Sequence, residues 1–133
     1  MSMDIAITLP KDLWKKIVSG EKIYELRKSF PRKLKLKTGK VYVVLKGTKK
    51  VAGYFNVTSF CKVSAYEACL MNKGIGVHPA WIAGYLGIGM HLDEEKTSAY
   101  LWNIGDTTEL LQTVRANVNL HLKSNPQSFC YIK

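Results

Sequence analysis

The chain has 133 residues, 47% of them apolar, and a formal net charge of +10. That is the length of one compact domain, here spanning 1–133, with too much apolar content for a disordered chain. No apolar run approaches the roughly 18 residues of a membrane helix, and Met1-Ser2-Met3-Asp4 shows no basic-then-apolar leader, so a soluble, cytoplasmic protein is expected.

Asp4–Leu9 alternates and is rich in Ile and Thr, which predicts a strand. Pro10 suits the first turn of a helix, and Leu13, Trp14, Ile17 and Val18 form one apolar stripe. Gly20 is placed to end that helix. A short strand over Lys22–Lys28 follows, carrying two cations and two carboxylates within the segment Glu21–Arg27. A packed sheet face seldom accepts so many charges, so this strand should edge a polar cleft or a wet surface. Period-2 geometry sets Ile23, Glu25 and Arg27 on one face and Lys22, Tyr24 and Leu26 on the other. Arg27 can hold a phosphate bidentately, and Glu25 can accept hydrogen bonds from base amino groups. Lys22, just past a helix C-terminus, is a phosphate contact and, unless desolvated, a poor general base.

The loop that follows holds Lys28, Arg32, Lys33, Lys35 and Lys37. Residues 1–62 carry 15 Lys/Arg against 4 Asp/Glu, whereas residues 63–133 carry 5 against 6. A cationic surface concentrated in this way attracts polyanions through counterion release, so RNA or a nucleotide is the expected partner. Val41–Lys46 reads as a strand buried on both faces, with Lys46 as a further cation at its end. Gly47–Lys50 is a turn, and Val51–Val63 returns as the other half of a hairpin. Gly53 within it suggests a bulge or a close backbone approach.

Ser64-x-x-Glu67 is a capping-box pattern before a short helix that ends over Asn72–Gly76. Pro79–Leu86 predicts a second short helix with Trp81, Ile82 and Tyr85 inward. Asp93–Lys96 is an acidic exposed turn, and Ser98–Ile104 is a central strand. Thr107–Leu122 fits a helix through Leu110, Leu111, Val114 and Val118, or a strand through Val118, Leu120 and Leu122. Asn125-Pro126 breaks the chain before a last strand, Ser128–Ile132. Tyr24, Tyr42, Tyr54, Tyr100 and Trp102 on the strands are candidates for base stacking or for core packing.

Cys61, Cys69 and Cys130 show no CxxC spacing, and His78, His91 and His121 are scattered. No disulfide framework, metal site or cofactor is expected, and Cys61 and Cys69 read as small core residues. Tight turns between strands argue for a mostly antiparallel sheet that curls to avoid exposed edges.

Several segments occur together: the helix ending at Ser19-Gly20, then Glu21-Lys22-x-x-Glu25-Leu26-Arg27, Gly39-Lys40-Val41-Tyr42-Val43, Val51-Ala52-Gly53-Tyr54-Phe55, and Asn125-Pro126-Gln127-Ser128-Phe129-x-Tyr131-Ile132. From about Ile5 to Ile132 the chain resembles the ASCH domain, of the PUA-like superfamily. The resemblance implies an α+β fold: a small β-barrel of mostly antiparallel strands with two or three short flanking helices and a cleft beside the Gly20–Arg27 segment. It also implies RNA binding or RNA modification. The residues that would meet nucleic acid are Lys22, Glu25, Arg27, Lys28, Arg32, Lys33, Lys35 and Lys46.

Some ASCH proteins are ribonucleases, and one related branch hydrolyses the acyl amide of N4-acetylcytidine. In an enzyme of either kind Lys22, Tyr24 and Glu25 would be the catalytic candidates. The amidohydrolase resemblance matches at Lys22, but its catalytic threonine falls on Glu25, and Met71-Asn72-Lys73-Gly74 lacks its glutamate. A carboxylate cannot replace a hydroxyl activated by a neighbouring base, so binding ranks above hydrolysis. A third reading is a protein-interaction module whose basic face meets an acidic partner.

Overall fold

The computed structural model describes residues 3–87, 98–115 and 129–132. The elements run β1 (Ile5–Leu9), α1 (Lys11–Ser19), β2 (Tyr24–Arg27), β3 (Val41–Leu45), β4 (Lys50–Ser64), α2 (Ala65–Leu70), α3 (Asn72–Ile75), α4 (Pro79–Leu86), β5 (Ser98–Arg115) and β6 (Cys130–Tyr131). The architecture is α+β: one mixed six-stranded sheet in the order β2-β5-β4-β3-β1-β6, with short helices around it. Four of its pairings are antiparallel, and β1 runs parallel to β3 from Ile5↔Val41 to Leu9↔Leu45.

The hairpin expected from Val41 to Val63 is β3–β4. Val41, Val43 and Val44 are all buried, as a run covered on both faces requires. Gly53 meets both expectations set for it. The β4–β5 register shifts between Val51 and Gly53, and a Cβ at Gly53 would stand 2.6 Å from Trp14 Cζ2. The missing side chain therefore lets α1 lie close against the sheet. α1 buries Leu13, Trp14 and Ile17, and Gly20 ends it in the left-handed conformation at φ 84°. Ser64 and Glu67 form the reciprocal capping box and start α2 directly from β4.

The main core joins Ile5, Ile7, Trp14, Val43, Phe55 and Trp102, among others. A second core gathers Leu26, Leu101 and Ile82 where α2–α4 pack on the β2 end of the sheet.

The hydrogen-bonded ladder of the described residues has two ends, β2 and β6, so its strands do not pair into a closed barrel. It is nonetheless strongly curled. β2 and β1 are four places apart in strand order, roughly 19 Å in a flat sheet, yet Arg27 Nη2 donates to the Thr8 carbonyl at 3.2 Å. Three register shifts along β4–β5 supply the bend.

Other expectations change. Residues 107–115, ambiguous in sequence, continue β5 as strand. Residues 116–122, the acidic turn Asp93–Lys96, His91, His121 and the Asn125-Pro126 break lie outside the described residues. Trp81 does not turn inward with Ile82; α4 is apolar on every side, so its sequence names no inner face. Cys61, on the part of β4 that pairs with β5 at Leu101, is exposed rather than core, and Cys69 is half-buried against the second core. Among the described residues no helix is long and apolar enough to cross a membrane.

Candidate functional site

β2 carries the site. Its pairing with β5 sets Glu25 opposite Trp102 and Arg27 opposite Tyr100, so both charged side chains share one face of the sheet. Leu26 faces the second core. Lys22 departs from the expected alternation. The strand begins only at Tyr24, and the Gly20 turn, closed by Lys22 N–H to the Lys16 carbonyl at 3.0 Å, brings Lys22 round to the side of Glu25. The pair is therefore an i,i+3 contact, Nζ to Oε1 at 3.1 Å.

Lys22 is only 2% exposed. Its ammonium donates to the Ile75 carbonyl at 2.7 Å and to the Tyr24 carbonyl, and pairs with Glu25. Three protons thus have three acceptors, which is the demand of an ammonium and not of a neutral amine. Gly76, at φ 89°, sits over its stem, and α3 shuts it from water. Burial lowers its pKa from the ordinary lysine value, while the Glu25 carboxylate opposes that pull. Glu25 is also buried, and burial alone would raise its pKa. Arg27 and then Lys22 outweigh burial and hold the carboxyl below its usual range. Arg27 Nε donates to Glu25 Oε2 at 2.6 Å. The result is a buried cation–carboxylate–cation cluster with one net positive charge.

A cavity of about 660 Å³ opens beside this cluster. Its walls are Thr8 to Leu13, the β3 end at Lys46 and Gly47, and the stretch from Ile75 through α4. His78, Trp81 and Tyr85 face it from the α4 side. The ring planes of Trp81 and Tyr85 stack, with centroids 5.2 Å apart at 14°. Lys28 Nζ lies 5.1 Å from the Tyr85 ring centroid. Burial raises the Tyr85 hydroxyl pKa, more than the nearby Arg27 charge lowers it. Thr8 Oγ1 is buried in the wall with no hydrogen-bond partner among the described residues.

Of the residues singled out in sequence, Lys22, Glu25, Arg27 and Lys46 come together in the cavity, and Lys28 stands beside Tyr85 on its wall. Tyr24 packs under α3, its ring against Gly74, and does not line the cavity. Arg32, Lys33 and Lys35 are exposed elsewhere on the loop; Arg32 lies over Phe30 and Lys33 over Tyr131, each at 5.8 Å. Tyr42 and Tyr54 pack on each other, and Trp102 is core, its indole N–H donating to the Ser29 carbonyl at 3.1 Å. Sequence reasoning missed Thr8, His78, Trp81 and Tyr85 as cavity residues. The i,i+4 spacing of Trp81 and Tyr85 after Pro79 was the available signal. Among the described residues no group of three or more His, Cys, Asp or Glu is placed to hold a metal ion.

A strongly curled α+β sheet with a charged cavity beside its short edge strand defines the class. No protein-family model and no curated protein matches the sequence. Solved structures do match. The crystal structure of ASCH from Zymomonas mobilis superposes with a TM-score of 0.78 at 16% identity, over 98% of this chain and 88% of that one. Two mutant forms of that protein give TM-scores of 0.76 at 16% and 17% identity, again over 98% of this chain and over 89% and 91% of theirs. The chain has the ASCH fold.

Proposed function

We propose that the chain binds RNA or a single nucleotide in the cavity beside β2. One observation carries this reading: the buried Lys22–Glu25–Arg27 cluster lines a cavity that also carries Lys46 and Asp12 on its wall, with Lys28 close by. Pockets for small ligands run from roughly 300 to 1,000 Å³, and about 660 Å³ falls within that range. Glu25 would accept from base amino groups, and Lys46 and Lys28 would meet phosphate, with Lys22 held in the buried cluster. The loop cations Arg32, Lys33 and Lys35 would steer a longer strand. The likeness to ASCH structures supports the fold on which this site stands. Titration with a labelled RNA from about 50 to 300 mM salt should show affinity falling steeply. A flat response, or no binding at any salt, overturns the reading.

A hydrolase acting on RNA or on a modified nucleoside is the second reading. Burial of Lys22 favours it, because desolvation works toward the neutral amine that a general base needs, although Glu25 opposes it. To act, Lys22 would have to give up one of its three acceptors. Incubation with N4-acetylcytidine and with RNA oligomers tests this reading. Turnover lost in Lys22→Ala is its expected outcome; turnover unchanged in that variant removes Lys22 from the chemistry.

A further inference from the structure

Trp81 is left half in water although its own helix packs on a core that could bury it. Trp14 and Trp102 are 3% and 0% exposed, whereas Trp81 is 51% exposed and lines the cavity. α4 fills its place in the second core with Ile82 and Leu86, and Tyr85 packs against them. Indole is the largest apolar side chain, and exposing it forgoes burial that folding would otherwise use.

The ring is also held still. Tyr85, one turn on, stacks against it at 5.2 Å, and Lys28 lies over Tyr85. His78 Nδ1 accepts from the Ala80 N–H at 3.0 Å, and this N-cap fixes the first turn from which Trp81 projects. A rigid, flat aromatic face on a cavity wall is a stacking platform whose ordering cost is already met.

We propose, on the basis of the nucleotide reading above, that Trp81 stacks one unpaired nucleobase. The cavity thus takes single-stranded RNA or a free nucleotide and rejects a duplex. The two features of the cavity ask for two features in one ligand. Trp81 asks for a planar π-face, and the ionised Glu25 beside Arg27 asks for a hydrogen-bonding edge. A base within a duplex offers neither, because its faces are stacked and its edge is paired. An aliphatic ligand would lay apolar surface on buried charge, and a bare phosphate would leave the indole unused.

The fluorescence of Trp81 tests this directly, because the other two tryptophans are buried. The probes are a free mononucleotide, cytidine monophosphate, and a ten-nucleotide RNA, alone and annealed to its complement. The single strand should quench emission, and Trp81→Phe should abolish the quench while largely keeping affinity. Trp81→Ala should weaken binding roughly five- to a hundredfold with an unchanged melting temperature, as expected for loss of one stacked base. Duplex should bind at least tenfold more weakly. If the single strand binds in a salt-dependent way without quenching and Trp81→Ala keeps full affinity, the stacking proposal fails and the nucleotide reading survives. Equal affinity for duplex overturns the unpaired-base proposal. Absence of all binding overturns both.

Discussion

At the scale of single residues, Glu25 is the keystone of the site. It is an anion set between two buried cations, with Lys22 at 3.1 Å and Arg27 at 2.6 Å. Glu25→Gln would remove the carboxylate that pairs with both Lys22 and Arg27, a class of change that costs about 3–5 kcal/mol. Its folded-state pKa is depressed, so the stability it contributes is fully present above the unfolded carboxylate value and is lost as pH falls through the folded one. Urea unfolding should therefore show a large gap between wild type and Glu25→Gln at neutral pH, closing in acid below the usual carboxylate range. A gap constant down to the acid unfolding of the wild type would contradict the assignment. The sequence displayed the charges of this site but not their arrangement. Whether Lys22 joins Glu25 depends on where the strand starts, and that is set by the Gly20 turn and by α3, fifty residues on.

At the scale of elements, Gly53 sets how closely α1 approaches the sheet. An added Cβ would meet the Thr108 carbonyl on one side and Trp14 on the other. Gly53→Ala should cost about 1–3 kcal/mol, the usual range for overpacking, read as a lower urea midpoint with an unchanged m-value. A variant as stable as wild type would mean that α1 moves freely on the sheet. Elements with local signals were legible in sequence: the buried run of β3, the capping box of α2, and the Pro10-to-Gly20 punctuation of α1. Elements that depend on a distant partner were less so. Residues 107–115 are strand because β4 pairs with them from Lys50 to Phe55, and no pattern within those residues announces that partner. The cavity face of α4 was hidden for a related reason. A helix apolar all round gives no stripe to distinguish core from wall.

At the scale of the molecule, the charge asymmetry of the sequence becomes a geometry. The cavity holds Lys22, Arg27 and Lys46 together with the carboxylates Glu25 and Asp12, and the exposed loop leading away from β2 holds Arg32, Lys33 and Lys35. If RNA follows that loop, replacing Arg32, Lys33 and Lys35 together by alanine should reduce the slope of log affinity against log salt by about two, at roughly 0.7 per contact on a single strand. The same variant should leave binding of a mononucleotide unchanged. An unaltered slope for RNA would confine the ligand to the cavity. Strand order alone did not convey the curl of the sheet, which shows in one side-chain bond from β2 across to β1.

The enclosure of Lys22 makes it a clock for opening of the fold. An amine with every proton engaged and 2% of its surface exposed cannot meet an acylating reagent in the native state. It must wait for a local opening that breaks these contacts, an event of the kind reported by exchange of buried amides. Timed acylation followed by peptide mass analysis should therefore find exposed lysines such as Lys46 modified at once and Lys22 last. The delay would measure how rarely the contacts around Lys22 open, and a tightly bound ligand in the cavity should lengthen it.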